Sequence, residues 1–269
     1  VNQGLASVAS PWWGDFSFNI GQIGRWRVGA LTVSVQRQAA EWHICQQTSG
    51  NSIDDLDTFE INLDSEALAA EAKCHRHVLI QDSQPLQVLP ALANRPVVTR
   101  PLTPFNLYPG QEVVLYVGTT VWYQLYAYSS GPLLLDIPIQ RPSDTWFGQS
   151  TREGEVCYAA RTRAILNLDD VPYHPFRAIT PVTIANQSEG PLLLERLLLP
   201  IPHLSIFSAA DGRLWTEALS ILCNEDMRSA HLHLGKGAPA VAHAAKLLAS
   251  PRTPPERGVF VRALGAIFG

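Results

Sequence analysis

The sequence predicts a mainly β protein, with one or two antiparallel β-sandwich modules of immunoglobulin-like layout and a short C-terminal helical tail. Three observations carry this expectation. Apolar and polar residues alternate with period two in short runs, and the 20 prolines and 18 glycines fall between those runs as punctuation. Strong helical patterning is confined to one internal segment and the last stretch of the chain.

Each element has its own signal. Residues 31–36 (Leu-Thr-Val-Ser-Val-Gln) alternate as a strand buried on one face does, and residues 42–45 read as its hairpin partner. Residues 113–117 and 133–137 are short apolar runs bounded by turn formers. Tyr108-Pro109-Gly110-Gln111 places Pro before Gly in the order of a type II turn, whose second central residue needs positive φ. Asp211-Gly212 predicts a hairpin turn ahead of Leu214 and Trp215. Residues 103–117 and 180–199 share a layout of strand, polar turn and strand, without the Cys-Trp-Cys signature of antibody domains. Helix is expected over residues 64–73 and from Pro239 to Ala249. A further helical face is expected over residues 258–269, carrying Phe260, Leu264, Ile267 and Phe268.

The domain boundaries follow from composition. A β-rich domain is expected over residues 1–142, a second sandwich-like domain over 143–235 and a basic amphipathic tail over 236–269. The tail has five basic residues against one acidic, on a chain whose net charge is −4. Its chemistry suits docking on a partner protein or a membrane surface.

Composition also excludes classes. With 46% hydrophobic and 16% charged residues the chain can build a large core without staples. A pI near 6.1 argues against nucleic acid as a partner. No run of 18 residues is apolar throughout, and the N-terminal residues do not read as a secretory signal. The four cysteines, Cys45, Cys74, Cys157 and Cys223, form no C-x-x-C pair; reduced buried thiols in a cytoplasmic protein are expected.

Catalytic signatures are missing: there is no G-x-S-x-G, H-E-x-x-H or P-loop. Gly235-Lys-Gly237-Ala-Pro-Ala240 matches a dinucleotide fingerprint, but too few residues follow it to complete that fold. His75 with His77, and His231 with His233, would each share a strand face and supply half a zinc site; the expectation remains no metal and no cofactor. The densest polar stretch, residues 143–163, offers Asp144, Arg152, Glu153, Tyr158 and Arg161 as candidates for binding a small anionic ligand.

Trp13-Gly-Asp-Phe16, Glu41-Trp42, residues 104–110 (Pro-Phe-Asn-Leu-Tyr-Pro-Gly), residues 144–148 (Asp-Thr-Trp-Phe-Gly) with 151–154 (Thr-Arg-Glu-Gly), and Val261-Arg-Ala263 together resemble an uncharacterised prokaryotic family, domain of unknown function four-three-two. The resemblance covers most of the chain. It implies a soluble prokaryotic protein and brings no reaction, cofactor or catalytic residue with it.

The sequence therefore leads to a non-enzymatic binding or interaction protein. Its expected partners are another protein, a second copy of the chain or a membrane surface reached through Phe260, Leu264, Ile267 and Phe268. The alternative is an enzyme or small anionic-ligand receptor with a polar cleft around Asp144–Arg163.

Overall fold

The computed structural model describes residues 11–49, 58–65, 72–78, 85–148, 150, 152–223, 229–254 and 260–263. Among them the regular elements are strands, apart from two single 3-10 turns, Leu168–Asp170 and Ile201–His203. No helix among the described residues is long and apolar enough to cross a membrane.

The chain divides into two compact units that interleave in sequence. The first holds Val1–Pro90, Tyr123–Gln140 and Ala210–Gly212; the second holds Ala91–Trp122, Arg141–Ala209 and Arg213–Gly269. The expected division at residue 142 thus lies close to one crossing, whereas residues 91–122 sit with the second unit and not with the N-terminal one. Strand pairing is the reason. Glu112–Thr120 runs antiparallel to Arg177–Asn186 over nine residue pairs, and Phe105–Leu107 pairs with Leu192–Leu194. The two stretches that look alike in sequence therefore pair with each other.

In the first unit an antiparallel five-stranded sheet has the order Phe59–Asn62, Ile23–Val28, Leu31–Arg37, Glu41–Thr48, Lys73–Val78. A four-stranded sheet has the order Gly14–Phe16, Leu86–Ala91, Trp122–Tyr126, Leu133–Pro138. Rings from both sheets meet at the fully buried Trp26. Phe16 packs edge-on to it at 5.0 Å and Tyr123 at 6.4 Å, while Trp12 stacks on Tyr123 at 5.9 Å. Such ring pairs each add about 0.5–1.5 kcal/mol beyond the area they bury.

Cys45 and Cys74 are joined as a disulfide. This corrects the expectation of four reduced thiols; only Cys157 and Cys223 are free, both buried. The two bonded cysteines stand directly opposite each other in the pairing of Glu41–Thr48 with the edge strand Lys73–Val78. Their 29-residue separation gives no local hint of this.

In the second unit Arg177–Asn186 is the central strand of an eight-stranded sheet. On one side lies Glu112–Thr120. On the other, Leu214–Trp215 pairs with its first half and Leu219–Cys223 with its second, both parallel. Pro181 falls where those two neighbours change over, so its missing N–H costs no ladder bond there. On its other side Pro181 faces Tyr116, whose backbone N–H and C=O turn away to bond Ile165 at 2.8 and 3.0 Å. Beyond Leu219–Cys223 come Ser229–Leu234 and then Phe260–Ala263.

The helical tail is not what forms. Residues 239–245 make turns, Lys246–Ala249 is a strand on Ile206–Ser208, and Phe260–Ala263 is a strand on Ser229–Leu234. Residues 246–249 (Lys-Leu-Leu-Ala) have good helix propensity, but the open edge of Ile206–Ser208 satisfies their backbone groups, and tertiary context overrides propensity. Of the internal segment expected to be helical, residues 66–71 lie outside the described residues.

Candidate functional site

The two polar turns were legible in sequence and are built as expected. Gly110 has φ +73°, and Gln111 N–H donates to Tyr108 O at 3.1 Å. Gly212 has φ +82° in the hairpin that brings Arg213 back beside Ala209. The second turn matters for the site, because it starts the strand that carries Arg213 into place.

A cavity of about 210 Å³ opens on one face of the central sheet of the second unit. Alternation along the strands decides who faces it. Along Glu112–Thr120, Leu115, Val117 and Thr119 are buried on one face, which turns Tyr116 and Gly118 to the other. Register places Gly118 opposite Ile179 and Thr120 opposite Arg177. On the parallel neighbour, Ala178 aligns with Leu214 and Ile179 with Trp215. One residue earlier in that register, Arg213 lies beside Arg177.

The third arginine, Arg163, comes from the segment that follows the strand Glu155–Ala159. Thr162 Oγ1 donates to Gly118 O, and the bridge between Ile165 and Tyr116 holds the segment along the sheet edge. The remaining wall is residues 171–174. Arg213 Nη1 donates to Val171 O at 3.1 Å, so this arginine both lines the cavity and fastens its wall. The floor is apolar: Val171 and Ile179 belong to a cluster with Phe207 and Trp215, against which Tyr116 and Ile165 pack. Gly118 leaves room, since a Cβ there would meet Thr162 at ordinary contact distances of 3.7 Å or more.

Among the described residues that line it, the cavity has three arginines, two tyrosines and one histidine, with no aspartate or glutamate. Guanidinium groups offer forked donors matched to carboxylate and phosphate oxygens. An apolar floor lowers the local dielectric and strengthens such contacts. Chemically, the arrangement offers donors suited to the oxygens of a small anion.

The residues singled out in sequence lie elsewhere. Asp144 and Tyr158 face each other across the hairpin Ser143–Phe147/Glu155–Ala159. Arg95 joins them: its Nη1 lies 2.9 Å from Asp144 Oδ1, and its guanidinium sits 5.3 Å over the Tyr158 ring. Tyr158 Oη donates to Asn94 Oδ1 at 3.0 Å. Arg161 donates to Arg141 O at 3.0 Å. Arg152 and Glu153 occupy the hairpin turn, where their backbone N–H groups bond Ser150 Oγ at 3.2 and 3.1 Å. That turn is about three residues, roughly 10 Å of strand, beyond the Asp144–Tyr158 pair. Asp144 and Tyr158 come together through a residue the sequence reading missed, Arg95. The other three do not join them, and none of the five lines the arginine cavity.

Of the tail residues proposed for docking, Phe260 begins a strand and pairs in register with Leu232. Leu264, Ile267 and Phe268 lie outside the described residues. Gly235 and Gly237 of the nucleotide-like motif belong to a turn, with Gly237 at φ +75°, that opens no helix. His75 and His77 share the edge strand of the first unit, His231 and His233 a strand of the second. No group of three or more potential metal ligands occurs among the described residues. Beside the first pair, Glu41 accepts from Arg76 and lies 2.9 Å from His43, and these two partners hold its carboxyl below the usual range.

Apart from Arg163, which ends the polar stretch 143–163, the arginine cavity had no local signature. Arg177 and Arg213 are 36 positions apart, and only the strand register makes them neighbours. A weak sequence signal was the i, i+2 spacing of Arg177 with Ile179 and of Arg213 with Trp215, which sets each arginine on the strand face of an apolar residue.

The family model described as "Protein of unknown function (DUF432)" matches residues 12–268, and the chain belongs to that family. No curated protein and no solved structure matches it.

Proposed function

We infer that this DUF432 chain is a non-enzymatic binding protein for a small anion, held in the cavity of Arg163, Arg177 and Arg213. The observation that carries the reading is the register that sets Arg177 beside Arg213 over an apolar floor, with Arg163 as a third cation. Two neighbouring guanidinium groups repel, and an anion between them turns that repulsion into attraction. This keeps the small anionic-ligand reading of the sequence; of the stretch Asp144–Arg163 it retains Arg163 and moves the rest of the site to the central sheet. A sandwich layout is supported best in the first unit, where Phe16 and Tyr123 of one sheet both touch Trp26 of the other. The parallel pairings of the second unit depart from an antiparallel immunoglobulin-like module. The disulfide favours an oxidising compartment over the cytoplasmic location expected from sequence.

Titration of ¹⁵N-labelled protein with inorganic phosphate and with acetate tests the reading. The side-chain Nε–H signals of the three arginines should shift with the anion and stay in place with a chloride control of equal ionic strength. Each charge-assisted contact contributes about 1.5–3 kcal/mol, so Arg177→Gln should weaken binding by roughly 10- to 100-fold. Unshifted arginine signals, or equal affinity in Arg177→Gln and the native chain, would refute it.

A further inference from the structure

A second cavity, of about 380 Å³, borders the first and differs from it in chemistry. It is a groove between residues 101–105 and 164–170, walled by Pro101, Leu102, Pro104, Phe105, Ala164 and Leu166. Two of these are unusually exposed for leucine, Leu102 at 78% and Leu166 at 58%. Ile165 lines both spaces. The 3-10 turn Leu168–Asp170 leads from one to the other, since Asp170 borders the groove and Val171 the arginine cavity. Asn167 caps this turn by accepting from Asp169 N–H at 3.2 Å.

The charges of the two spaces are complementary to one class of molecule. The arginine cavity attracts an anionic group. The groove is apolar, and its one charged lining residue is the carboxylate Asp170, which disfavours an anion inside the groove itself. A molecule whose head is anionic and whose tail is a hydrocarbon chain satisfies both, with its head on Arg163, Arg177 and Arg213 and its tail crossing Ile165 to lie between Leu102, Phe105 and Leu166. Covering the two exposed leucines removes apolar surface from water, and that supplies the driving force for the tail.

We propose that the ligand is an amphipathic carboxylate, a fatty acid of medium chain length. This rests on the anion-binding reading above and adds the occupant of the groove. The backbone of the groove is already ordered by the strand pairing of Phe105–Leu107 and by the bridges of Pro101 to Ala164 and Tyr116 to Ile165, so binding needs no folding step.

The experiment is a calorimetric and NMR titration with acetate, butanoate, hexanoate and octanoate, with 1-octanol as the uncharged control. Affinity should rise with chain length by up to about fourfold per methylene, the value of a fully buried CH₂. The octanoate titration should shift the signals of Leu102 and Leu166 together with those of the arginines. Leu166→Asn, a change at an exposed position that leaves the fold intact, should flatten the chain-length dependence while acetate still shifts the arginine signals. Arg177→Gln should weaken every carboxylate by a similar factor. If acetate binds at the arginines but longer chains bind no tighter, the groove is not the tail site; the present inference falls and the anion reading stands. If octanol binds as tightly as octanoate, the head contributes nothing and the inference is likewise overturned. If no anion shifts the arginines, both readings fail.

Discussion

Removing the Cys45–Cys74 bond should cost the first unit about 3–4 kcal/mol. The cysteines are 29 residues apart, so the bond closes a loop of about 30 residues in the unfolded chain. On the loop-entropy relation that closure removes about 12 cal/mol/K from the unfolded ensemble, or roughly 3.6 kcal/mol at 25 °C. The folded state has its own reason to depend on the bond. Lys73–Val78 is an edge strand with a single strand neighbour, and the bond ties it to that neighbour one pair from the end of the paired stretch. Cys74→Ser is the variant to use, because Cys74 is exposed whereas Cys45 is buried. Urea unfolding followed by tryptophan fluorescence, with and without dithiothreitol, reads the effect. With a slope of about 1–3 kcal/mol/M, the midpoint should fall by roughly 1–4 M. Reduced native protein and Cys74→Ser should give the same curve, and reductant should not move the variant further. A thiol count in denaturant supplies the covalent control: two thiols should titrate before reduction and four after it. Superimposable curves for oxidised and reduced native protein would refute the reasoning.

Other outcomes follow from single groups. Asn186 is buried, donates to Leu107 O and Gly190 O at 2.8 and 2.9 Å, and accepts from Ser188 N–H and Oγ–H. Asn186→Ala should therefore cost about 2–4 kcal/mol by denaturant titration, since it strands buried partners as well as losing its own bonds. Glu41 titrates below its ordinary value through Arg76 first and His43 second. Its contribution is present above the unfolded-state value and is lost as pH falls through the lower folded value, so Glu41→Gln should lessen the drop in Tm below about pH 4.5. Burial, with His75 nearby, lowers the pKa of His77 from 6.5. The unfolded chain then takes up the proton first, so stability should decline as pH falls below about 6.5, and His77→Gln should remove part of that slope in a Tm series. Burial pushes the free thiols of Cys157 and Cys223 up to about 11, so neither should react with a disulfide reagent at pH 8 until the protein unfolds.

Much of the β-rich fold was readable because its signals are local. The alternation in residues 31–36 marks a strand buried on one face, and Pro109-Gly110 specifies its turn by backbone sterics alone. The site was far less readable. Asp144, Arg152, Glu153 and Arg161 drew attention by charge density, yet charge density along a hairpin also describes a solvated surface, and Arg95–Asp144 is an exposed pair of the kind that contributes about 0–1 kcal/mol. Arg163 closes that same polar stretch, but Arg177 and Arg213 stand in unremarkable local contexts. Their proximity depends on which strand lies beside which.

The sequence by itself determined the alternating strands of the body and the Pro/Gly turns, because period-two burial and the φ preferences of proline and glycine act over a few residues. Tertiary structure decided the partners: Glu112–Thr120 with Arg177–Asn186, Cys45 with Cys74, Arg177 with Arg213, and the tail segment with Ile206–Ser208. Loop-closure entropy grows only slowly with separation, so distance along the chain discriminates weakly among candidate pairings. The choice falls to which faces can be buried together and which sheet edges still have open hydrogen bonds, and both exist only once the rest of the chain is folded.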